Sequence, residues 1–191
     1  MYDVIVIGGG PVGSFVAYQL AGLGYGVAVL ERKQKIGEKT CCTGIIGREC
    51  VETFAIEKDV IRRQANSARL FSPSGKVLRL WRHELQACIL DRVAFDRAMA
   101  YRAQAKGAEY WLDTLAEAIK TEADKVRTET SRQTFEAKVA VIAAGFGSKL
   151  TEELGLRKFA DAVGGAQADV ESKEIEEVEI YFGREVAPGF F

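Results

Sequence analysis

Val4-Ile5-Val6-Ile7-Gly8-Gly9-Gly10-Pro11-Val12-Gly13 decides how this chain folds. Four consecutive apolar residues suit a central parallel strand buried on both faces, and the glycines that follow end it in a sharp turn. Gly8 makes the turn, Gly10 leaves room where a backbone must approach a pyrophosphate, and Gly13 lets a helix pack closely on the strand. Pro11 fits the first helical turn, where its missing N–H costs nothing. The spacing predicts a helix from about Pro11 to Leu23, with the free N–H groups and positive dipole end of its first turn, around Val12, aimed at phosphate. Gly24 to Gly26 breaks that helix, and Val27-Ala28-Val29-Leu30 forms the next strand, which delivers Glu31 at its carboxyl end. A carboxylate there accepts both ribose hydroxyls and repels a 2′-phosphate, so the pattern favours FAD or NAD.

The 191 residues suffice for a real core and one domain, or one domain with a small annex. With 26 basic and 27 acidic residues the formal charge is −1, which removes the electrostatic case for nucleic acid. No stretch approaches the roughly 18 apolar residues of a spanning helix, and the first strand begins at Tyr2 with no room for a signal peptide. The expectation is a soluble, cytoplasmic protein. Cys41, Cys42, Cys50 and Cys88 show neither zinc spacing nor a CxxC pair, so no metal site is expected and the cysteines read as thiols of a reducing compartment.

Beyond Glu31, the charged segment Arg32 to Lys39 reads as a surface loop. The small, apolar segment from Thr40 to Gly47 suits close approach to a ligand. A short helix is expected over Arg48 to Ile56, and Ala68 to Phe71 and Lys76 to Leu80 read as strands joined by the turn Ser72-Pro73-Ser74-Gly75. Asp91 caps a helix that runs to Gly107. Three strand-like runs between Glu109 and Glu136 suggest an antiparallel meander, after which Val139 to Ala143 returns as a buried strand. Its end, Ala144-Gly145-Phe146-Gly147-Ser148, is a second glycine junction expected on the same rim as the first. Val163 to Val170 and Glu174 to Phe182 read as strands of another sheet, with the alternating acids of 171–179 on a solvated face.

Four segments together resemble the FAD-dependent geranylgeranyl reductase family, within the wider group that includes p-hydroxybenzoate hydroxylase and related flavin monooxygenases. Gly8-Gly9-Gly10-Pro11-Val12-Gly13-Ser14 with Glu31-Arg32 is similar to the family's FAD-binding opening. Lys39-Thr40-Cys41-Cys42-Thr43-Gly44-Ile45 resembles its Lys-Pro-Cys-Gly-Gly-Gly stretch, with threonine for proline and a second cysteine for the first glycine. Asp91-Arg92-Val93-Ala94-Phe95-Asp96 is similar to an Arg-x-x-Phe-Asp helix start, and Val141-Ile142-Ala143-Ala144-Gly145-Phe146-Gly147-Ser148 to an Ala-x-Gly-x-x-Ser segment.

The resemblance implies an α/β fold: a Rossmann-like FAD/NAD(P)-binding domain with a parallel sheet and an inserted antiparallel β-meander, plus the start of a β-sheet substrate domain. The FAD-binding domain is expected over 1–160, with a substrate-side segment near 66–84 and the meander near 109–137, and the substrate domain from 161 to 191. The implied FAD contacts are Gly8, Gly10, Pro11, Val12, Gly13, Glu31, Arg32, Cys42, Thr43, Gly44, Arg92, Ala144 and Gly145. Cys41 is the implied catalytic residue, bordering the flavin's reactive face, where a thiol shapes substrate approach or donates a proton.

The implied activity is reduction of carbon–carbon double bonds in prenyl groups, with electrons from NAD(P)H or another reductant. A small-molecule or prenyl-lipid substrate would carry with it peripheral membrane contact of a full-length parent. The family's later Gly-Asp and Trp-x-Phe-Pro elements do not occur in the sequence, so an amino-terminal fragment is expected. The alternatives are a monooxygenase or halogenase of the same fold, and a nucleotide-binding fragment without redox turnover.

Overall fold

The computed structural model describes residues 1–146, 148–156, 164–168, 170–171, 177–183 and 189–190. Gly147 and much of the expected 161–191 segment lie outside the described residues. The elements follow the order β1 (Tyr2–Ile7), α1 (Pro11–Gly22), β2 (Val27–Leu30), β3 (Ile45–Gly47), α2 (Arg48–Thr53), β4 (Ile61–Ala65), β5 (Ser67–Phe71) and β6 (Val77–Trp81). Then come β7 (Ala87–Leu90), α3 (Arg92–Ala105), β8 (Glu109–Trp111), β9 (Ala116–Thr121), β10 (Val126–Thr130), β11 (Thr134–Ile142), α4 (Leu150–Glu153), β12 (Val178–Gly183) and β13 (Gly189–Phe190). They fall into two compact units, one of Met1–Thr40 with Val93–Gly164, the other of Cys41–Arg92 with Gly165–Phe191.

The first unit is built on a six-stranded sheet in the order β8-β2-β1-β11-β10-β9. β1 lies parallel to both β2 and β11, so its apolar run is central. Val4, Val6, Val27 and Val29 pack with Ala17 and Ala21 of α1 and with Ala103 of α3. Ile5, Ile7, Ala28 and Leu30 point the other way, onto Ala116, Phe135, Ala137 and Leu150. Burial on both faces explains why this strand needs no polar alternation. Each fully buried Val or Ile contributes about 1.5–3 kcal/mol.

Two expectations about this unit need correction. The first run of the supposed meander, β8, is a parallel neighbour of β2, pairing Ala28 with Glu109 and Leu30 with Trp111. Only β9, β10 and β11 form the antiparallel part. The segment from Val139 is also less buried than its apolar run suggests. Val139 stands opposite Val4 in the register, yet it is 51% exposed.

The second unit holds a three-stranded sheet, β3-β7-β4, and a four-stranded sheet, β13-β12-β5-β6. The hairpin of β5 and β6 closes on Gly75 in the left-handed region, with the Gly75 N–H donating to the Ser72 carbonyl. The described residues among 163–170 form no strand, contrary to expectation, and β12 begins only at Val178. Glu171 is exposed, as expected, but Glu177 and Glu179 are drawn into ion pairs. Glu177 bridges Arg69 and Arg79 at 3.3 and 3.2 Å, and Glu179 pairs with Arg69, because β12 lies parallel to β5 and brings these carboxylates over the hairpin's arginines.

Candidate functional site

The carboxyl ends of β1, β2 and β11 meet around the first glycine turn. Gly8 has φ +108, and a Cβ there would lie 2.4 Å from the Ala143 carbonyl oxygen. A Cβ on Gly13 would lie 1.9 Å from the Gly8 carbonyl oxygen. Both glycines are therefore demanded by the packing of strand, helix and second glycine junction. Gly10 differs: nothing stands within 4 Å of its added Cβ, and its backbone is extended at φ −74. The protein itself has no need of glycine at this place, whereas a diphosphate at the mouth of α1 would.

Gly10 is the N-cap of α1, Pro11 follows in the first turn, and no side chain caps the helix. No acidic residue sits in that first turn. The mouth therefore keeps its partial positive charge for an anion. Val12 is 68% exposed.

Glu31 is fixed beside this mouth. Its Oε2 accepts the Gly9 N–H at 2.8 Å and its Oε1 accepts the Lys33 N–H at 2.9 Å. Each carboxylate oxygen has a second lone pair, so both remain able to accept a ribose hydroxyl. The backbone around Glu31 is tied as well: its N–H donates to the Trp111 carbonyl, and the Thr114 N–H donates to the Glu31 carbonyl, both at 2.9 Å.

A cavity of about 300 Å³ opens here, lined by Ile7, Gly8, Leu30, Glu31, Arg32, the 114–117 segment, Ala144, Ser148, Lys149, Leu150 and Glu153. Its volume sits at the small end for ligand pockets, enough for one portion of a dinucleotide. Arg32 and Lys149 bring cations to it. Sequence reasoning placed Gly8, Glu31, Arg32 and Ala144 here but missed Thr114, Leu115, Ala116 and Lys149. The available signal was position: residues 114–116 follow β8, a further parallel strand, and ligands gather at the carboxyl ends of such strands.

Ser14 and Tyr110 tie the turn to the sheet edge. Tyr110 Oη donates to Ser14 Oγ at 2.8 Å, and Ser14 Oγ donates to the Gly9 carbonyl at 3.2 Å. Burial pushes the Tyr110 phenol up to about 12 from its usual 10.0, partly offset by the bond to Ser14. Its folded-state value is raised, so the stability it contributes is complete below pH 10 and disappears as pH rises toward 12. Tyr110→Phe is expected to cost about 1 kcal/mol at neutral pH, for the lost hydrogen bond. It should also flatten the alkaline fall in melting temperature between pH 10 and 12; an equal slope in both proteins would refute the assignment.

Of the other expected residues, Cys41, Cys42, Thr43, Gly44 and Arg92 lie in the second unit. Cys41, Cys42 and Thr43 are exposed, and Gly44 is buried. Gly44 has φ +72, and a Cβ on it would lie 2.6 Å from the Leu90 carbonyl oxygen and 3.3 Å from Arg92 Cγ. The Leu90 N–H donates to the Gly44 carbonyl at 2.9 Å. The cysteine segment and the start of α3, separate in sequence, are thus in contact. Gly145 takes φ +70 at the second glycine junction of the first unit.

Residues 3–46 match the family model described as FAD dependent oxidoreductase. The chain is 31% identical over 201 residues to a digeranylgeranylglycerophospholipid reductase of Methanocaldococcus jannaschii, covering 99% of this chain and 51% of the relative. It is 34% identical over 206 residues to the protein of that name in Methanocella arvoryzae, covering 98% and 52%. The chain therefore spans about half the length of these curated relatives. Among solved structures, a geranylgeranyl bacteriochlorophyll reductase-like protein of Thermoplasma acidophilum superposes with a TM-score of 0.77, at 23% identity, over 95% of this chain and 50% of that one. A halogenase solved in complex with FAD gives 0.67 at 22% identity, over 83% and 37%. At such identities the last two establish the shared fold.

Proposed function

We propose that this chain, whose residues 3–46 match the FAD dependent oxidoreductase model, is the flavin-binding portion of an enzyme that saturates carbon–carbon double bonds in the prenyl chains of a lipid. The observation that carries the reading is Glu31, held by the Gly9 and Lys33 N–H groups beside an uncapped helix mouth and lining the same cavity as Gly8 and Ala144.

The residues present fit FAD. Gly10 leaves open space at the mouth of α1, and the first-turn N–H groups receive a diphosphate there. Glu31 accepts the adenosine ribose hydroxyls, and Arg32, with the 114–116 segment, walls the space around the adenosine. Lys149 and Ala144 line the same cavity, and Gly145 beside them leaves open backbone. Within the second unit, Gly44 stands beside Arg92, a residue type whose fork suits phosphate oxygens. When bound, FAD supplies hydride transfer, recharged by a reduced nicotinamide or another donor. The exposed Cys41 thiol offers a proton for the second carbon of the alkene and narrows the approach of the substrate. A long apolar substrate brings peripheral contact with a bilayer, and among the described residues no helix is long and apolar enough to cross one.

FAD and ADP titrated into the protein test the nucleotide site: both are expected to bind, FAD with quenching of its fluorescence, and binding of neither would end the reading. The protein is then reduced anaerobically and offered a geranylgeranyl lipid, and each saturated bond adds about 2 Da to the product. Oxygen consumption with peroxide release and no saturated product would favour instead a flavin monooxygenase or halogenase, the chemistry of several proteins that share this fold.

A further inference from the structure

We propose that Cys41 and Cys42 form a vicinal dithiol, a modification site at which a hydroperoxide reversibly closes an intrachain disulfide between neighbouring residues. The two are adjacent and both exposed, whereas Cys88 is buried and Cys50 half-buried. Residues 40–44 belong to no helix or strand, so no ladder of backbone hydrogen bonds resists a local twist. The Cys42 sulfur is already drawn onto its own loop, accepting the Gly44 N–H at 3.5 Å. Gly44 in turn is fixed against Leu90, which leaves Cys41 and Cys42 as the adaptable part of the segment.

The chemistry balances with hydrogen peroxide as the oxidant. One sulfur attacks a peroxide oxygen, the O–O bond breaks, and a sulfenic acid and water form. The neighbouring sulfur then attacks the sulfenic sulfur, the S–S bond forms, the S–O bond breaks, and a second water leaves. Two thiols lose two electrons and two protons, and the peroxide is reduced to two waters. Adjacency keeps the resolving thiol at very high effective concentration, ahead of further oxidation.

Geometry makes the product easily reversed. Neighbouring Cα atoms lie about 3.8 Å apart across a trans peptide, short of the roughly 4.4–6.8 Å of ordinary disulfides. The bond is strained and readily reduced, which suits a transient mark and not a structural staple. The inference stands independently of the reductase reading. Where that reading holds, the oxidised pair lacks the Cys41 thiol, and turnover stops until a dithiol restores it.

Trypsin supplies a clean assay, because cleavage after Lys39 and Arg48 releases a peptide holding Cys41 and Cys42 and no other cysteine. The protein is treated with hydrogen peroxide, alkylated with iodoacetamide and digested. The expected peptide is unalkylated and about 2 Da lighter than its dithiol form, and dithiothreitol restores two alkylatable thiols. Cys42→Ser should instead leave Cys41 as a dimedone-reactive sulfenic acid that over-oxidises. Sulfinic acid on Cys41 with Cys42 still alkylatable in the unaltered protein would overturn the proposal. So would a crosslink to Cys50, dimers through an intermolecular disulfide, or two thiols untouched by peroxide.

Discussion

Gly13→Ala is expected to destabilise the first unit severely, while Gly10→Ala, three residues earlier, leaves the fold standing and removes the nucleotide. The new methyl at Gly13 would meet the Gly8 carbonyl oxygen at 1.9 Å, a backbone atom that can yield only if α1 withdraws from β1. Overpacking of this kind costs about 1–3 kcal/mol and here more, since both partners are main chain. Against a usual domain stability of about 5–15 kcal/mol, that is enough to lower the melting temperature by many degrees. The methyl at Gly10 enters open space at an ordinary φ. Its cost is that of an alanine N-cap, about 1 kcal/mol or less. Its effect falls on FAD, whose diphosphate would lose its approach to the helix mouth, with an expected loss of tenfold or more in affinity, about 1.4 kcal/mol. Thermal unfolding and flavin fluorescence, measured on both variants, separate the two roles. Wild-type FAD affinity in Gly10→Ala would show that the diphosphate does not sit at this mouth.

Glu31→Gln should weaken FAD by about 10–100-fold, from the loss of charge-assisted bonds to the ribose worth about 1.5–3 kcal/mol. The same change also turns an amide N–H₂ toward the Gly9 or the Lys33 N–H, where the carboxylate now accepts from both. Stability is therefore expected to fall with affinity. ADP resolves the two effects, because it shares the ribose of FAD and lacks the flavin. Parallel losses for ADP and FAD support the ribose contact. Unchanged affinities with a lowered melting temperature would confine Glu31 to holding the glycine turn.

The first thirty-odd residues are legible because each of their features is local. A continuous apolar run, a glycine turn, a proline in the first helical turn and an acid at a strand end are all written within a few residues of where they act. The contrast between Gly10 and Gly13 is not written there. Both read as members of one motif, and only the positions of Gly8 and Ala143 show that one glycine serves packing while the other faces empty space. β8 reads as a meander strand and not as a parallel neighbour of β2 for a related reason: Glu109–Trp111 is only three residues long, and its place comes from pairing with β2. Glu177 and Glu179 read as solvated because their alternation is that of a half-exposed strand, and the arginines that bind them belong to β5 and β6, about a hundred residues earlier.

The chain's own order of residues thus determined the βα turn, the strand that feeds it, the acid that follows and the family resemblance, since period and turn chemistry are short-range properties. The tertiary structure alone decided which segments tie Glu31 in place, which glycine is left facing open space, where β8 pairs, and that Gly44 lies beside Arg92. Those outcomes depend on backbone pairing and burial between segments far apart in sequence, and no local pattern encodes a partner that only folding brings near.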